Sequence, residues 1–266
     1  MSRRRPIAAV GAAALAVAAV AALAVLGSGA ARGERSQHGS LIVSLDGGLS
    51  PLLLPRDHPA PVAVRLVGGL TSADRSLLPR VDRMELSLPG QGVVDVRGLA
   101  RCSLQRLRNA TADSALDACG AALVGHGRLE AEVRIPHQQP FAIDARLLAF
   151  NGRVGGRKAV ILHGFSPHPP TVVVLPFSIK TDAGRLGTRL VADLQSSLGP
   201  WPRLARFQVR LFRRYRYRGS MHSYISASCP IPKQYTAGFF SFARASFTLA
   251  GGRTVATGIA RSCRAR

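Results

Sequence analysis

The stretch Arg128-Leu129-Glu130-Ala131-Glu132-Val133-Arg134-Ile135 alternates charged and apolar residues without a break. Side chains two positions apart share one side of an extended strand, so the apolar four face one way and the charged four the other. Beyond the Pro-bounded loop 136–140 the same period returns. Phe141, Ile143, Ala145, Leu147 and Ala149 form the apolar side, with Asp144 and Arg146 opposite. This is how a half-buried antiparallel pair reads.

The pattern repeats outward in both directions. Residues 41–45 end at Asp46-Gly47-Gly48, and Val62, Val64 and Leu66 alternate up to Gly68-Gly69. Met84, Leu86 and Leu88 alternate before Pro89-Gly90, with residues 93–96 as a short partner across that turn. Four prolines between Pro51 and Pro61 predict an extended crossing loop rather than a central strand. Residues 159–162 and 171–179 are nearly continuous apolar runs and should lie centrally, covered on both sides. Three consecutive valines, Val172 to Val174, and Pro176 exclude a helix there, and Pro176 asks for a bulge or an edge. Residues 186–194 are a further strand. Phe207, Val209 and Leu211 face inward, and hairpins are expected at 215–227 and 239–260. In the last, Phe239 and Phe247 share the inward parity, whereas Phe240 and Phe242 meet a second sheet or form an exposed contact. Only 101–120 breaks the period: Thr111-Ala112-Asp113-Ser114 can cap a short helix stopped by Gly120. The expected fold is therefore all-β, an antiparallel sandwich or jelly-roll-like domain over residues 40–266 with one short helix. Two packed sub-sandwiches meeting near 120 or 180 are the alternative.

The 266-residue chain begins with Arg3-Arg4-Arg5, followed by an uncharged apolar run over 7–26 and small residues at Ser28 and Ala30. Those are the parts of a secretory signal peptide spanning 1–30, with a polar tether over 31–39. The run is also long enough to be an uncleaved anchor. Either way the remainder is expected outside the cytoplasm, extracellular or associated with the envelope. The four cysteines fit that address. Cys102, Cys119, Cys229 and Cys263 allow three pairings, of which Cys102–Cys119 and Cys229–Cys263 each bracket one local segment. No Cys-x-x-Cys spacing supports a metal, and neither cofactor nor metal is expected.

The formal charge is +22, and its distribution is uneven. No Asp or Glu follows Asp193, while residues 194–266 hold thirteen Lys and Arg. A field of one sign attracts polyanions and anionic surfaces. A GC-rich genome, rich in Arg codons, is the competing explanation.

Within that tail, Arg206, Arg210, Arg214, Arg216 and Arg218 share the even parity with Phe212 among them. A row of guanidinium groups beside an aromatic ring can grip phosphates or carboxylates. Outside the cell, anionic envelope polymer or lipid head groups are the fitting partners, and nucleic acid is not. The competing reading is a solvated strand whose Arg stems cover apolar surface. A hydrolase acting on wall or extracellular polymer is the alternative function, with Glu130, Glu132 and Asp144 as its carboxylates. Two carboxylates flanking a glycosidic bond would suffice for that chemistry, but the same face carries Arg128, Arg134 and Arg146. His163 near Ser166, and His222 next to Ser223, lack a nucleophile elbow. No catalytic residue is assigned, and a non-catalytic binding or structural module is the preferred expectation.

Several local sequences are shared with a wider group. Cys119-Gly120-Ala121-Ala122-Leu123-Val124-Gly125-His126-Gly127, Leu148-Ala149-Phe150-Asn151-Gly152, Tyr215-Arg216-Tyr217-Arg218-Gly219, Cys229-Pro230 and Arg261-Ser262-Cys263 stand in this order. In these the chain resembles a group of exported, β-rich actinobacterial proteins, over most of residues 49–263. The resemblance implies an exported, disulfide-bearing β protein and brings no activity, ligand or site residue. Where that group favours glycine and acidic turns, this chain has Phe239-Phe240-Ser241-Phe242-Ala243-Arg244, which leaves the geometry of the last hairpin open.

Overall fold

A computed structural model describes residues 33–181 and 186–266, so the signal-peptide or anchor segment lies outside the described residues. Strands β1 (Glu34–His38), β2 (Leu41–Ser50), β3 (Leu53–Leu54), β4 (Ala60–Pro61), β5 (Ala63–Ser72), β6 (Val81–Leu88) and β7 (Gly92–Val94) come first. Helices α1 (Leu104–Leu107) and α2 (Ala112–Cys119) follow, then β8 (Leu123–Val133), β9 (Phe141–Val154), β10 (Arg157–Pro167), β11 (Pro170–Thr181) and β12 (Thr188–Asp193). A five-residue helix, α3 (Leu194–Leu198), leads into β13 (Pro202–Leu211). The chain ends with β14 (Arg214–Tyr217), β15 (Ser220–Ser223), β16 (Ile225–Ala227), β17 (Ala237–Leu249) and β18 (Thr254–Ala265).

Thirteen of these strands join in one continuous sheet, in the order β1-β2-β5-β13-β8-β9-β10-β11-β12-β6-β17-β18-β3. The expectation of a β protein with a short disulfide-bracketed helix holds. Its finer form differs, because the sheet curls upon itself as a half-barrel instead of splitting into two stacked layers. Alternation reports that one face is buried, but not whether a second sheet or the curl of the same sheet covers it. Gly33–Arg266 forms one compact unit.

The diagnostic pair is present as β8 and β9, in antiparallel register with Leu129 opposite Ala145 and Val133 opposite Phe141. Leu129, Val133, Ile143, Ala145 and Leu147 are all buried. Beside them neighbouring backbones approach closely, and glycine permits it. A side-chain carbon at Gly127 would stand 1.9 Å from the Gln208 carbonyl oxygen, and one at Gly69 would stand 2.2 Å from that of Ala205. Backbone therefore crosses backbone on both flanks of β13 at separations only glycine allows.

Other expectations are corrected. Residues 34–38, read as tether, pair along β2 from Glu34–Leu45 to His38–Leu41. Residues 92–94 do not pair back on β6. They join β16, which also holds β4, in a small three-stranded sheet. Phe239 is 87% exposed although Phe247, of equal parity, is fully buried. A register shift between Ser241 and Ala243 reverses the parity, so Phe242 enters the core instead. Residues 159–162 are buried throughout, whereas along β11 only alternate residues Val173, Leu175 and Phe177 are. Pro176 pairs with Ile161 of β10, ahead of the first β12 pairing at Ser178, so its strand has one neighbour there.

The disulfides are Cys102–Cys119 and Cys229–Cys263, with Cα atoms 5.5 Å and 5.9 Å apart. The first ties α1 and α2 over the outer side of β9 and β10, where Leu107, Ala115, Leu148, Phe150 and Ile161 make a second apolar cluster. Thr111 caps α2 by accepting the Ser114 amide. Under this cover lies His163, fully buried, its Nε2 2.9 Å from the Ala110 carbonyl oxygen and its Nδ1 without a partner among the described residues.

Two predictions follow from this packing. Gly127→Ala forces a methyl group into the β13 backbone and should lower stability by roughly 1–3 kcal/mol in urea titration. Burial holds the His163 imidazole below its ordinary value of 6.5, opposed by the weaker effect of the Ala110 bond. The unfolded chain then accepts a proton that the folded one refuses, so the associated stability is complete above pH 6.5 and is lost as pH falls below it. Urea midpoints at pH 7.5 and 5.5 should diverge for the native chain and diverge less for His163→Gln.

Candidate functional site

β13 lies between β5 and β8, and its outward residues meet a mixed set of neighbours. Arg206 stands opposite Gly69 and Glu130, and Arg210 opposite Arg65 and His126. Phe207, Val209 and Leu211, between them, are buried in the core. The chain leaves the sheet at Phe212 and Arg213 and re-forms as the β14–β15 hairpin, with Arg214 opposite Ser223 and Arg216 opposite Met221. Arg206, Arg210, Phe212, Arg214, Arg216 and Arg218 are all exposed. The even-numbered row thus reaches solvent throughout, although it crosses from the large sheet to a separate hairpin.

At the crossing, side chains converge. Arg210, Phe212, Arg213 and Arg214 line a depression of about 330 Å³ whose other wall includes Ser50, Val62 and Ser223. The Arg210 guanidinium lies over the Phe212 ring at 5.2 Å, and His126 meets the same ring edge-on at 5.4 Å. The Arg213 Nε is buried without a hydrogen-bond partner among the described residues. Arg213 has odd parity, and strand alternation passes over it. The only signal in the sequence is that the period fails at residues 212–213.

Carboxylates are distributed elsewhere. On the outer face of β8 and β9, Arg128 makes a bidentate pair with Asp144, and Arg134 bonds Glu132. Asp46 takes Arg261 at 2.6 Å and Arg65 at 3.7 Å. None of Arg206, Arg210, Arg214, Arg216 and Arg218 makes an ion pair among the described residues; Arg218 lies instead over the Tyr217 ring at 5.3 Å. Glu130 and Asp144 face each other across β8 and β9, but the Arg128 guanidinium holds the Asp144 carboxyl below the usual carboxylate range. A glycosidic general acid needs the opposite shift.

One histidine does meet an acid. His222 Nδ1 lies 3.1 Å from Asp95 Oδ2, stacked near Tyr215 and edge-on to Tyr217. Asp95 also accepts both Nε and Nη2 of Arg97, and these bonds hold its carboxyl well below the usual range, with His222 adding to the effect. Ser223, the adjacent hydroxyl, donates to the Ile225 carbonyl at 2.7 Å. No Ser, Thr or Cys bonds His222 among the described residues. The cluster is a clamp: with Tyr215 Oη donating to the Asp95 carbonyl at 3.2 Å, it fixes the hairpin that carries Arg214 and Arg216.

No group of three potential metal-ligating side chains forms among the described residues, and all four cysteines are in disulfides. No helix among them is long and apolar enough to cross a membrane. No protein-family model, curated protein or solved structure matches the chain.

The clamp can be tested on its own. Its stabilisation is present above the ordinary carboxylate value of about 3.8 and is lost as pH falls through the lower folded value. Because Arg97 is largely solvated, Asp95→Asn should cost only about 1 kcal/mol at neutral pH. Amide exchange over residues 214–223 should accelerate, with exchange elsewhere unchanged.

Proposed function

We propose that this protein is a non-catalytic, exported binding module that takes up phosphate- or carboxylate-bearing envelope material on the face formed by Arg206, Arg210, Phe212, Arg214, Arg216 and Arg218. The observation that carries the reading is that these five exposed, neighbouring arginines make no ion pair among the described residues, whereas Arg65, Arg128, Arg134 and Arg261 each have one. Exposed guanidinium groups gain their fork-shaped bonds only from an external acid or phosphate. The depression lined by Arg210, Arg213 and Arg214 adds a concave place on this face for such a group.

Two disulfides fit an oxidising compartment. The likeness to exported actinobacterial proteins belongs to the same proposal and contributes an address, not a ligand. The hydrolase alternative has less support, because Glu132 and Asp144 are engaged by arginines.

Binding through such a face is electrostatic and must weaken with salt. Inorganic polyphosphate should be retained at low ionic strength and released as salt rises. Each of Arg210→Ala, Arg214→Ala and Arg216→Ala should reduce the slope of log affinity against log salt by roughly one. Retention that is indifferent to salt, or to all three substitutions, would refute the reading.

A further inference from the structure

Four of the nine large apolar side chains that stand exposed among the described residues gather where β3 meets the end of β18. Leu53 stands opposite Arg264, Arg264 opposite Ala237, and Phe239 opposite Ser262. Paired positions share one face of a sheet, as do positions two apart along a strand. Leu53, Arg264 and Phe239 therefore point to the same side, away from the buried Leu54 and Cys263. Leu52 adjoins them, its carbonyl accepting the Arg264 amide at 2.9 Å. Tyr235 is drawn in by Arg56, which donates to the Ile231, Pro232 and Tyr235 carbonyls at 2.9–3.0 Å. Phe239 is 87% exposed, so almost its whole ring stands in water.

Cations border this apolar patch. Lys233 and Arg264 are exposed, and neither makes an ion pair among the described residues. β17, β18 and the loop before them hold no acid, and Asp57, beyond β3, is turned to His58 at 2.8 Å. Leucines and aromatic rings fringed by ammonium and guanidinium groups fit the interface of a bilayer with anionic head groups. A strand-donating protein fits less well. β3 is two residues long and lies between Pro51 and Pro55, which have no amide to give.

The start of the described chain lies close by. A side-chain carbon at Gly33 would stand 2.8 Å from the Asp46 Cβ, and Asp46 holds Arg261, three residues before Arg264. In the sequence only six residues separate the apolar run 7–26 from Gly33, a reach of about 20 Å when extended. As signal or as anchor, such a run brings the chain to a membrane.

We propose that this end of the half-barrel docks on an anionic lipid bilayer, with Leu52, Leu53, Tyr235 and Phe239 entering the head-group region and Lys233 and Arg264 meeting lipid phosphates. The surface does not depend on the arginine face proposed above.

Trp201, the only tryptophan, supplies an internal control. It precedes β13 at the end opposite Leu211, which is linked through Val64 to Leu49 and so to Leu52, roughly 30 Å away along the strand. In the full chain, reconstituted in vesicles of phosphatidylglycerol and phosphatidylcholine with brominated acyl chains, Trp201 should fluoresce unquenched. The chain carrying Trp201→Phe and Phe239→Trp should be strongly quenched, and hardly at all on phosphatidylcholine alone. In that background Lys233→Ala with Arg264→Ala should weaken docking roughly twentyfold, about fivefold for each cation near the surface. Leu53→Ser should weaken it roughly tenfold and leave polyphosphate retention intact, so failure of one surface is told from failure of the other. Should the doubly substituted chain fail to fold, a photoactivated apolar probe dissolved in the same vesicles decides with the unaltered chain. It should label Leu52, Leu53 and Phe239 and spare Leu77, which is exposed between β5 and β6. No quenching at position 239, quenching equal at 239 and 201, or labelling as strong at Leu77 as at Phe239 overturns the proposal. Docking as tight on phosphatidylcholine alone overturns the anionic partner.

Discussion

A sheet that curls this far must do something with its two ends, and the joining of those ends is the constraint on which the rest of the structure depends. Edge strands carry unpaired amides and carbonyls that invite pairing with other chains. Here β18 returns to the start of the chain. It pairs in parallel with β3, through the Arg264 amide to Leu52 and the Arg266 amide to Leu54. Further along, where no ladder forms, Arg261 donates to the Gly47 carbonyl and to Asp46, and Ser36 meets Thr257 at 3.0 Å. The Cys229–Cys263 bridge fastens the same strand to the segment whose Cys229 amide bonds the Pro55 carbonyl. Backbone, guanidinium and disulfide thus close one seam together. Without that seam the apolar side of thirteen strands would have no shared interior.

Strand period and turn residues were enough to place the β8–β9 pair, the last two hairpins, the capped helix and the cysteine pairing. Each depends on neighbours in sequence. What was not legible depends on strands far apart in the chain. Gly69 and Gly127 stand where a side chain would run into the β13 backbone, and nothing local distinguishes those glycines from turn glycines. Phe239 was misplaced because a bulge at residues 241–243 costs one residue of register and leaves no mark in hydrophobicity. The pairing of β7 with β16 joins residues more than a hundred positions apart. In the candidate site the exposed even-numbered row was readable by parity. Arg213 was not, because it sits where parity stops.

The charge asymmetry has a structural consequence that composition alone does not show. Antiparallel neighbours bring acids from early strands beside arginines from later ones, as with Glu85 of β6 and Arg189 of β12. That pairing reaches only the strands beside an acid-bearing one. β13 touches β8, so Arg206 faces Glu130 across the ladder without forming a pair, whereas the β14–β15 hairpin pairs only with itself. Its arginines lie in the acid-free tail, and Asp95, which packs against the hairpin, is occupied by Arg97 and His222. Topology therefore leaves the arginines of the hairpin, and of the junction leading into it, without carboxylate partners among the described residues.

The unfilled lumen follows from the same geometry. Enclosed width grows with the number of strands, and interiors much larger than a narrow closed barrel are no longer filled by ordinary side chains. Leucine, valine and alanine dominate the inward positions here, and Ala131 contributes little volume to the cavity wall. An unfilled volume of about 70 Å³ costs roughly 2 kcal/mol relative to a packed core. A larger residue at 131 would reduce that penalty without touching the seam, since the seam is made at the edges of the sheet. A fold able to close its ends so firmly does not need small residues in its middle for closure. What alanine supplies at 131 is room in the interior of the curled sheet.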